Sequence, residues 1–377
     1  MDTSMDRLAD LRGKTAAMVD DLRVLVEAES FSNDPAGVGT CADLLAGIGE
    51  RLLGAAPERR TEGARPHLLW RFGSRVRVLL VGHFDTVWPP GTIERKPFAI
   101  DGDRVTGPGS FDMKSGIVQG LHALATIRDL DGVAVLLTSD EELGSPTSAA
   151  LIRELAMEAQ AALILEPSAG GALKTGRKGV SVYSIEITGR AAHAGLEPEK
   201  GANALVELAQ QVLVISSLAD ASKGTSVTPS VAKAGTAVNV VPASAHIDVD
   251  VRVLTIAEQD RIAKAMRELT PRTAGTTLSI EADENRPPME ESAATDLFAL
   301  AQRLASDLGL PAIQGVTVGG ASDGNITAAA GCPTLDGLGA AGDGAHAENE
   351  HAVVSEMAPR AALVAALVED LLREGTA

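Results

Sequence analysis

Val133-Ala134-Val135-Leu136-Leu137-Thr138-Ser139-Asp140-Glu141-Glu142-Leu143-Gly144-Ser145 is the stretch on which the reading of this chain turns. Its first five residues are apolar without interruption, which predicts a strand buried on both faces. Three carboxylates follow where that strand ends, ahead of a helical pattern over about 146–159. Desolvating them together is costly unless something positive sits among them. Neighbouring side chains on an extended chain point in different directions, so one glutamate can bind a cation while the other carries a proton. A solvated helix start accounts for the same residues, since acids are favourable at a helix N-terminus. Taken alone, the stretch favours that second reading.

Its neighbours change the balance. Arg75 to Val81 becomes continuously apolar and stops at Gly82-His83-Phe84-Asp85-Thr86, placing His83 and Asp85 on one face at a strand end. Ala161 to Leu165 reads as another buried strand, ending at Glu166-Pro167. Between them Gly107-Pro108-Gly109-Ser110-Phe111-Asp112-Met113-Lys114-Ser115-Gly116 sets Asp112 in a loop before a helix over roughly 115–129. A late Gly-rich run, Gly342 to Glu350, carries His346. Open α/β sheets bind ligands at the carboxyl ends of their strands. Repeated placement of such residues on one sheet edge predicts a site.

The candidate metal ligands are His83, Asp112, Glu142, Glu166 and His346. Mixed imidazole and carboxylate donors suit zinc, or cobalt or manganese. Five protein ligands exceed what one catalytic zinc takes; two metals sharing a carboxylate, about 3.5–4 Å apart, fit the count better. Asp85 is placed to accept the other imidazole N–H of His83. Each residue also has a structural reading. His83 and Asp85 make a buried pair, Asp112 caps a helix, Glu166 ends a strand in solvent, and His346, Glu350 and His351 form a polar surface loop. Jointly these structural readings lose, because independent accidents do not put every such residue at a strand or loop end.

The 377 residues suggest two or three domains at about 150 residues each. With 45% hydrophobic and 22% charged residues the chain is a soluble globular protein, and at 2% aromatics its core rests on Ala, Val, Leu and Ile. The net charge of −18 repels phosphate backbones and anionic lipids, so nucleic acid and membrane partners are not expected. Cys41 and Cys332 are the only cysteines, read as a buried, reduced pair. No apolar signal core opens the sequence and no run reaches the roughly 18 apolar residues of a membrane span, so a cytoplasmic location is expected.

Helical spacing covers 4–31 and 36–53, interrupted by Asn33 to Gly37. From about 178 the pattern becomes strand, helix, two strands, helix, strand; His246 to Val253 alternates strictly, with Ile247, Val249, Val251 and Val253 toward a core. The expected organisation is a catalytic α/β domain over 1–177 and 287–377, with a mixed, mostly parallel sheet flanked by helices. An α+β domain of βαββαβ order, ferredoxin-like, is inserted over 178–286.

These residues together carry a resemblance. His83-x-Asp85, Gly107-x-Gly109-x-x-Asp112-Met113-Lys114-x-Gly116, Glu141-Glu142, Glu166-Pro167 and Gly344-Ala345-His346 resemble the two-zinc exopeptidase and aminoacylase family, nearest its glutamate carboxypeptidases of glucarpidase type. His193-Ala194-Gly195, Pro198-Glu199-x-Gly201-x-Asn203-Ala204 and Asn239 to Ala245 resemble that subgroup's second domain. The resemblance runs from about residue 75 to the C-terminus. It implies that Asp112 bridges two Zn2+ ions, with His83 and Glu166 on one and Glu142 and His346 on the other. Glu141 is then the general base, and the Asp112–Met113 peptide bond is cis. His193 would reach in from a partner subunit, across a homodimer contact made by the inserted lid domain, to steady the oxyanion. Arg252 and Asn239 would hold a substrate carboxylate, with Arg286 as a second arginine; Arg252 also has acidic neighbours, Asp248 and Asp250, to pair with. The implied function is hydrolysis of the amide bond of an N-acyl or peptidyl amino acid, C-terminal glutamate foremost. Its rivals are a deacetylase or desuccinylase of the acetylornithine or succinyl-diaminopimelate type, and a non-catalytic binding protein on the same fold. Asp140 has no role beyond favouring the helix that follows.

Overall fold

The strand expected over 133–138 is Val133–Thr138, third in a six-stranded sheet of the computed structural model, which describes residues 3–374. Edge to edge the sheet runs Glu58–Glu62, Arg65–Arg71, Val133–Thr138, Val78–His83, Ala161–Ile164 and Thr334–Leu335. Val78–His83 is parallel to both of its neighbours, and Thr334–Leu335 is parallel to Ala161–Ile164. The first two strands add antiparallel at the other edge. In the three central strands every residue is buried, which is why they read as apolar runs rather than alternations. In register, His83 lies opposite Thr138, so the histidine ends its strand beside the start of the acidic turn.

One face of the sheet packs Leu79, Val81, Leu136 and Ile164 against Ile152 and Leu155 of helix Ala149–Glu158 and Ile326 of helix Asp323–Ala329. On the other face, the space a Cβ at Gly82 would need is filled by Met113 and Ile117, the latter on the wholly buried helix Ser115–Leu124. That helix approaches the strand ends through glycine. A Cβ at Gly116 would stand 2.0 Å from the carbonyl oxygen of Leu165, and one at Gly339 2.1 Å from the same atom. Three backbones therefore meet immediately before Glu166. Gly116→Ala forces them apart and is expected to cost at least the ~1–3 kcal/mol typical of overpacking, read as a lower midpoint in urea or thermal melts. An unchanged midpoint would contradict this packing.

The N-terminal helical pattern divides where the sequence predicted continuity. Helix Thr3–Gly13 stops at glycine, the weakest non-proline helix former, and Thr15–Glu27 begins after Lys14. Helix Pro35–Leu53 starts with the Asp34 side chain accepting from the Ala36 N–H and Pro35 in its first turn, and ends on left-handed Gly54.

The chain separates into two units, Met1–Gly176 with Glu291–Val318 and Ser322–Ala377, and Arg177–Glu290 with Gly319–Ala321. The second contains an antiparallel sheet in the order Ser226–Ala234, Ser244–Val253, Gly179–Thr188, Thr277–Arg286. Helices Ala204–Ser216 and Ile256–Arg267 cover one face, where Ile247, Val249, Val251 and Val253 meet Leu208, Ile215, Ile262 and Met266. Among the described residues no helix is long and apolar enough to cross a membrane.

Candidate metal centre

His83, at its strand end, is almost wholly buried, and each face of its ring has work to do. Nδ1 lies 3.1 Å from the carbonyl oxygen of Asp85 and 3.4 Å from its carboxylate, so it donates to Asp85 through the backbone more closely than through the side chain. That fixes Nε2 as the atom facing the site, 3.4 Å from Asp112 Oδ1, 3.5 Å from Glu166 Oε1 and 4.0 Å from Glu141 Oε2. His346 supplies the second imidazole: its Nε2 lies 3.0 Å from Glu142 Oε1 and 3.5 Å from Asp112 Oδ2. Asp112 thus turns one oxygen to each histidine. The structure brings all five expected ligands and Glu141 into one cluster at the carboxyl ends of the parallel strands, and the Asp112–Met113 bond is cis.

The acidic turn Glu141–Leu143 is held from both sides. Asp85 accepts from the backbone N–H of Glu141 at 3.2 Å and of Glu142 at 3.3 Å, and from Ser32 Oγ at 2.7 Å. Buried Asp323 accepts from Thr138 Oγ1 at 3.1 Å and from Ser145 Oγ, gripping the residues before and after the turn. Asp140, without a role in the sequence reading, is fully buried and accepts from Thr147 N (2.6 Å), Thr147 Oγ1 (2.7 Å), Ser148 N (3.2 Å) and Ser148 Oγ (2.6 Å). It ties the turn to the segment that leads into helix Ala149–Glu158.

Electrostatics follow from this crowding. Burial alone would lower the His83 pKa, but Asp112, Asp85 and Glu166 together hold it well above the ordinary value. The Glu142 carboxylate raises His346 to about 9 against the cost of burial. Glu142 itself is pushed up by burial, with Asp112 adding repulsion and His346 opposing both. For Asp85, burial pushes the carboxyl up, but His83, Ser32 Oγ and the Glu142 N–H together hold it below its usual range.

Whether a metal fits is tested by Asp112. Its Oδ1 is buried and has no hydrogen-bond partner, a state that costs free energy unless a cation or proton meets it. Two imidazoles and carboxylates at 3.0–4.0 Å leave room for divalent ions at the ~2.0–2.2 Å of nitrogen and oxygen ligands. The residues fit. Because metal binds neutral imidazole, uptake at pH 7 must expel protons that the raised histidines hold. We expect net release on the order of two protons per chain and an affinity that climbs with pH toward about 9, the His346 value. Titration calorimetry in buffers of different ionisation enthalpy measures this, and zero release would contradict it.

The second unit positions the remaining candidates. His193 pairs across a short bridge with Val240, and its Nδ1 accepts from Gly195 N at 3.1 Å and Leu196 N at 3.2 Å, leaving Nε2 as the donor. Ala194 N donates to the Asn239 carbonyl at 3.0 Å, so His193 and Asn239 are close. Arg252 grips Asp250 with both Nε and Nη2 at 2.9–3.1 Å. Arg252 and Arg286 face Val180 from opposite sides in one transverse row of the sheet, on the face turned away from the helices. Arg286 thus lies in register with Arg252 across Val180.

Three residues went unrecognised in the sequence. Glu350, read as part of a polar surface loop, is 1% exposed and accepts from Trp88 Nε1 and from the backbone N–H of Gly109, Phe111 and Asp112. Asp323, at the start of helix Asp323–Ala329, stood in no motif. Lys174 places its Nζ 3.6 Å from Glu166 Oε2 and stood in no motif.

The family model for peptidase family M20/M25/M40 matches residues 79–370. Carboxypeptidase G2 of a Pseudomonas species is 29% identical over 374 residues, 94% of this chain and 89% of that protein. Succinyl-diaminopimelate desuccinylase of a Nitratiruptor species is 32% identical over 151 residues, 37% of this chain and 41% of that one. Among solved structures, aminopeptidase PepT from Bacillus cereus shares the fold with a TM-score of 0.76 at 21% identity, over 95% of this chain and 99% of that one. A match across most of the chain, with a histidine–carboxylate cluster at the strand ends, leads to one conclusion: the chain belongs to peptidase family M20/M25/M40 and is a hydrolytic metallopeptidase.

Proposed function

We propose that the protein is a two-zinc carboxypeptidase that hydrolyses the amide bond of an N-acyl or peptidyl amino acid, with C-terminal glutamate as the leaving residue. The observation that carries this reading is the division of Asp112 between the histidines, Oδ1 3.4 Å from His83 Nε2 and Oδ2 3.5 Å from His346 Nε2. His83, Asp112 and Glu166 would hold one ion, and Asp112, Glu142 and His346 the other; cobalt or manganese suits the same donors. When bound, the metals would polarise the amide carbonyl and acidify water.

The protein groups then have separable tasks. Glu141 takes the proton of the attacking water and returns it to the leaving nitrogen. Asp85 keeps the His83 ring in the orientation that turns Nε2 inward. His193 of a partner subunit donates to the developing oxyanion, the sheet-bearing unit over 178–286 acting as lid and homodimer contact. Arg252, Arg286 and Asn239 hold the free carboxylate of the substrate, an assignment supported by two arginines in one row of one sheet face. A cytoplasmic location is proposed from Cys41 and Cys332, which are buried and unpaired, with the Cys332 thiol pushed up to about 12 by burial.

A second reading, amino-acid deacetylase or desuccinylase, draws support from the similarity to succinyl-diaminopimelate desuccinylase over 151 residues. Metal-reconstituted protein assayed on N-acyl-glutamates, N-acetylornithine and N-succinyl-diaminopimelate separates the two. Release of glutamate is expected; turnover confined to the other two substrates would overturn the carboxypeptidase assignment.

A further inference from the structure

We propose that Glu350 is a positioning residue for Asp112: its carboxylate accepts from three backbone amides of the Gly109–Asp112 turn and from the Trp88 indole, and so holds the turn that presents Asp112 to both histidines. The inference rests on the metal-centre reading above and adds to it the device that sets the shared ligand in place.

The turn's own backbone bonds leave three of its amides to be met from outside it. Asp112 (φ −112°, ψ 97°) and Met113 (φ −130°, ψ 28°) have non-helical backbone between a short strand, Arg104–Thr106, and helix Ser115–Leu124. Ser110 N and Lys114 N close onto Gly107 O at 3.1 Å and Gly109 O at 3.0 Å, while the amides of Gly109, Phe111 and Asp112 turn to a side chain; buried amides are costly unless such an acceptor is found. Gly109 sits at φ +70°, and a Cβ there would stand 2.6 Å from Thr86 Cγ2, so the turn is also pressed close against its neighbours. Glu350 supplies the acceptors. Oε1 takes Phe111 N at 3.0 Å and Asp112 N at 3.2 Å; Oε2 takes Gly109 N at 3.1 Å and Trp88 Nε1 at 2.7 Å.

Each partner explains the other's burial. A carboxylate 1% exposed is tolerable because four donors converge on it. Burial still drives its pKa upward against those donors. Trp88 is itself fixed from its other side by the Lys96 ammonium, 4.0 Å from the ring centroid, and Lys96 Nζ also donates to the Ala347 carbonyl at 3.0 Å. His346 lies four residues before Glu350, and Glu350 N closes a tight turn onto Ala347 O at 3.0 Å. One short segment therefore delivers a ligand, His346, and the clamp on the ligand it faces, Asp112.

The test uses full-length protein, stripped of metal and titrated with Zn2+. Glu350→Gln keeps the size of the side chain but replaces one acceptor oxygen with a donor, so at least two of the four donors lose their partner. Zn2+ affinity is expected to fall about 10- to 100-fold, and hydrogen exchange in peptides covering 107–114 to quicken in the metal-free protein. Trp88→Phe, which removes only one donor, should stay within about threefold of wild type, well short of that outer-shell loss. Unchanged affinity in Glu350→Gln would overturn the proposal. If that variant does not fold, the wild type decides: amides of the turn are expected to be protected before any metal is added. Free exchange there until Zn2+ arrives would mean that the metal, not Glu350, orders the turn, and the proposal would fall. A wild type that binds no divalent metal would instead defeat the metal-centre reading, while the exchange data would still judge the clamp.

Discussion

Glu141→Gln is expected to retain the metal content of the wild type and to lose about 10²–10⁴-fold in kcat, the usual contribution of a positioned proton-transfer group. The reasoning starts from the turn. Glu142 spends its carboxylate on His346, 3.0 Å away, whereas Glu141 Oε2 stands 4.0 Å from His83 Nε2, farther than Asp112 or Glu166. Glu141 is thus beside the ion-holding atoms but farther from the His83 ring nitrogen than Asp112 or Glu166, and at 9% exposure it is shielded from bulk water. Its backbone is fixed by the 3.2 Å bond to Asp85 Oδ1, so the glutamine variant changes the side-chain chemistry without freeing the turn. Glutamine is nearly isosteric and cannot accept the proton. KM should change little, since ground-state binding is untouched and only proton transfer is lost. Two results would sink the assignment. Wild-type turnover would show that the base lies elsewhere, and loss of metal would show that Glu141 is a ligand, as its grouping with His83 and Glu166 also allows.

The parts of this site that were legible in the sequence are those encoded locally. A strand buried on both faces must be an uninterrupted apolar run, so its end is easily located, and His83, Glu142 and Glu166 each stand at or just past the end of such a run. Asp112 was legible through the glycines around it, which the close approaches at Gly109 and Gly116 require. Glu350 was not legible, because its donors lie 238 to 262 residues away and its immediate neighbours, Asn349 and His351, are polar. Nothing within its own segment says that it is buried. The antiparallel edge was missed for a related reason. Glu58–Glu62 is exposed at every residue and rich in arginine and glutamate, which disguises a strand while protecting a sheet edge from unwanted pairing. The long N-terminal helical pattern misled in the other direction, since its apolar spacing continues across Gly13 although the helix does not.

Asp112→Asn should have the larger effect on the metal centre, because Asp112 turns one oxygen to each histidine. Its two oxygens lie 3.4 Å from His83 Nε2 and 3.5 Å from His346 Nε2, and Oδ1 is buried without a hydrogen-bond partner. Asparagine keeps one acceptor and turns an NH2 group toward the other position, where a cation is repelled. On the proposed two-metal reading, one position loses a ligand atom and the other keeps only a neutral one. The loss in affinity should exceed the ~10- to 100-fold that outer-shell changes cost, with activity falling alongside it. Elemental analysis after dialysis, followed by Zn2+ titration, reads the outcome. Retention of the full wild-type metal complement would remove Asp112 from the ligand set, and loss of a single metal would show that it serves one ion rather than two. A stability control separates ligand loss from misfolding. Without metal, Asp112 crowds against Glu142, whose carboxyl is raised by burial and then by Asp112 itself. Removing the aspartate charge relieves that repulsion but also removes a charge that holds His83 and His346 above their ordinary values. The control is therefore the response to metal: added Zn2+ should raise the melting temperature of the wild type far more than that of the variant, each compared with its own metal-free form. Asp112 faces two raised imidazoles in the metal-free protein and would face cations in the loaded one, so the size of the Zn2+-dependent shift, not the apo melting point, separates ligand loss from misfolding.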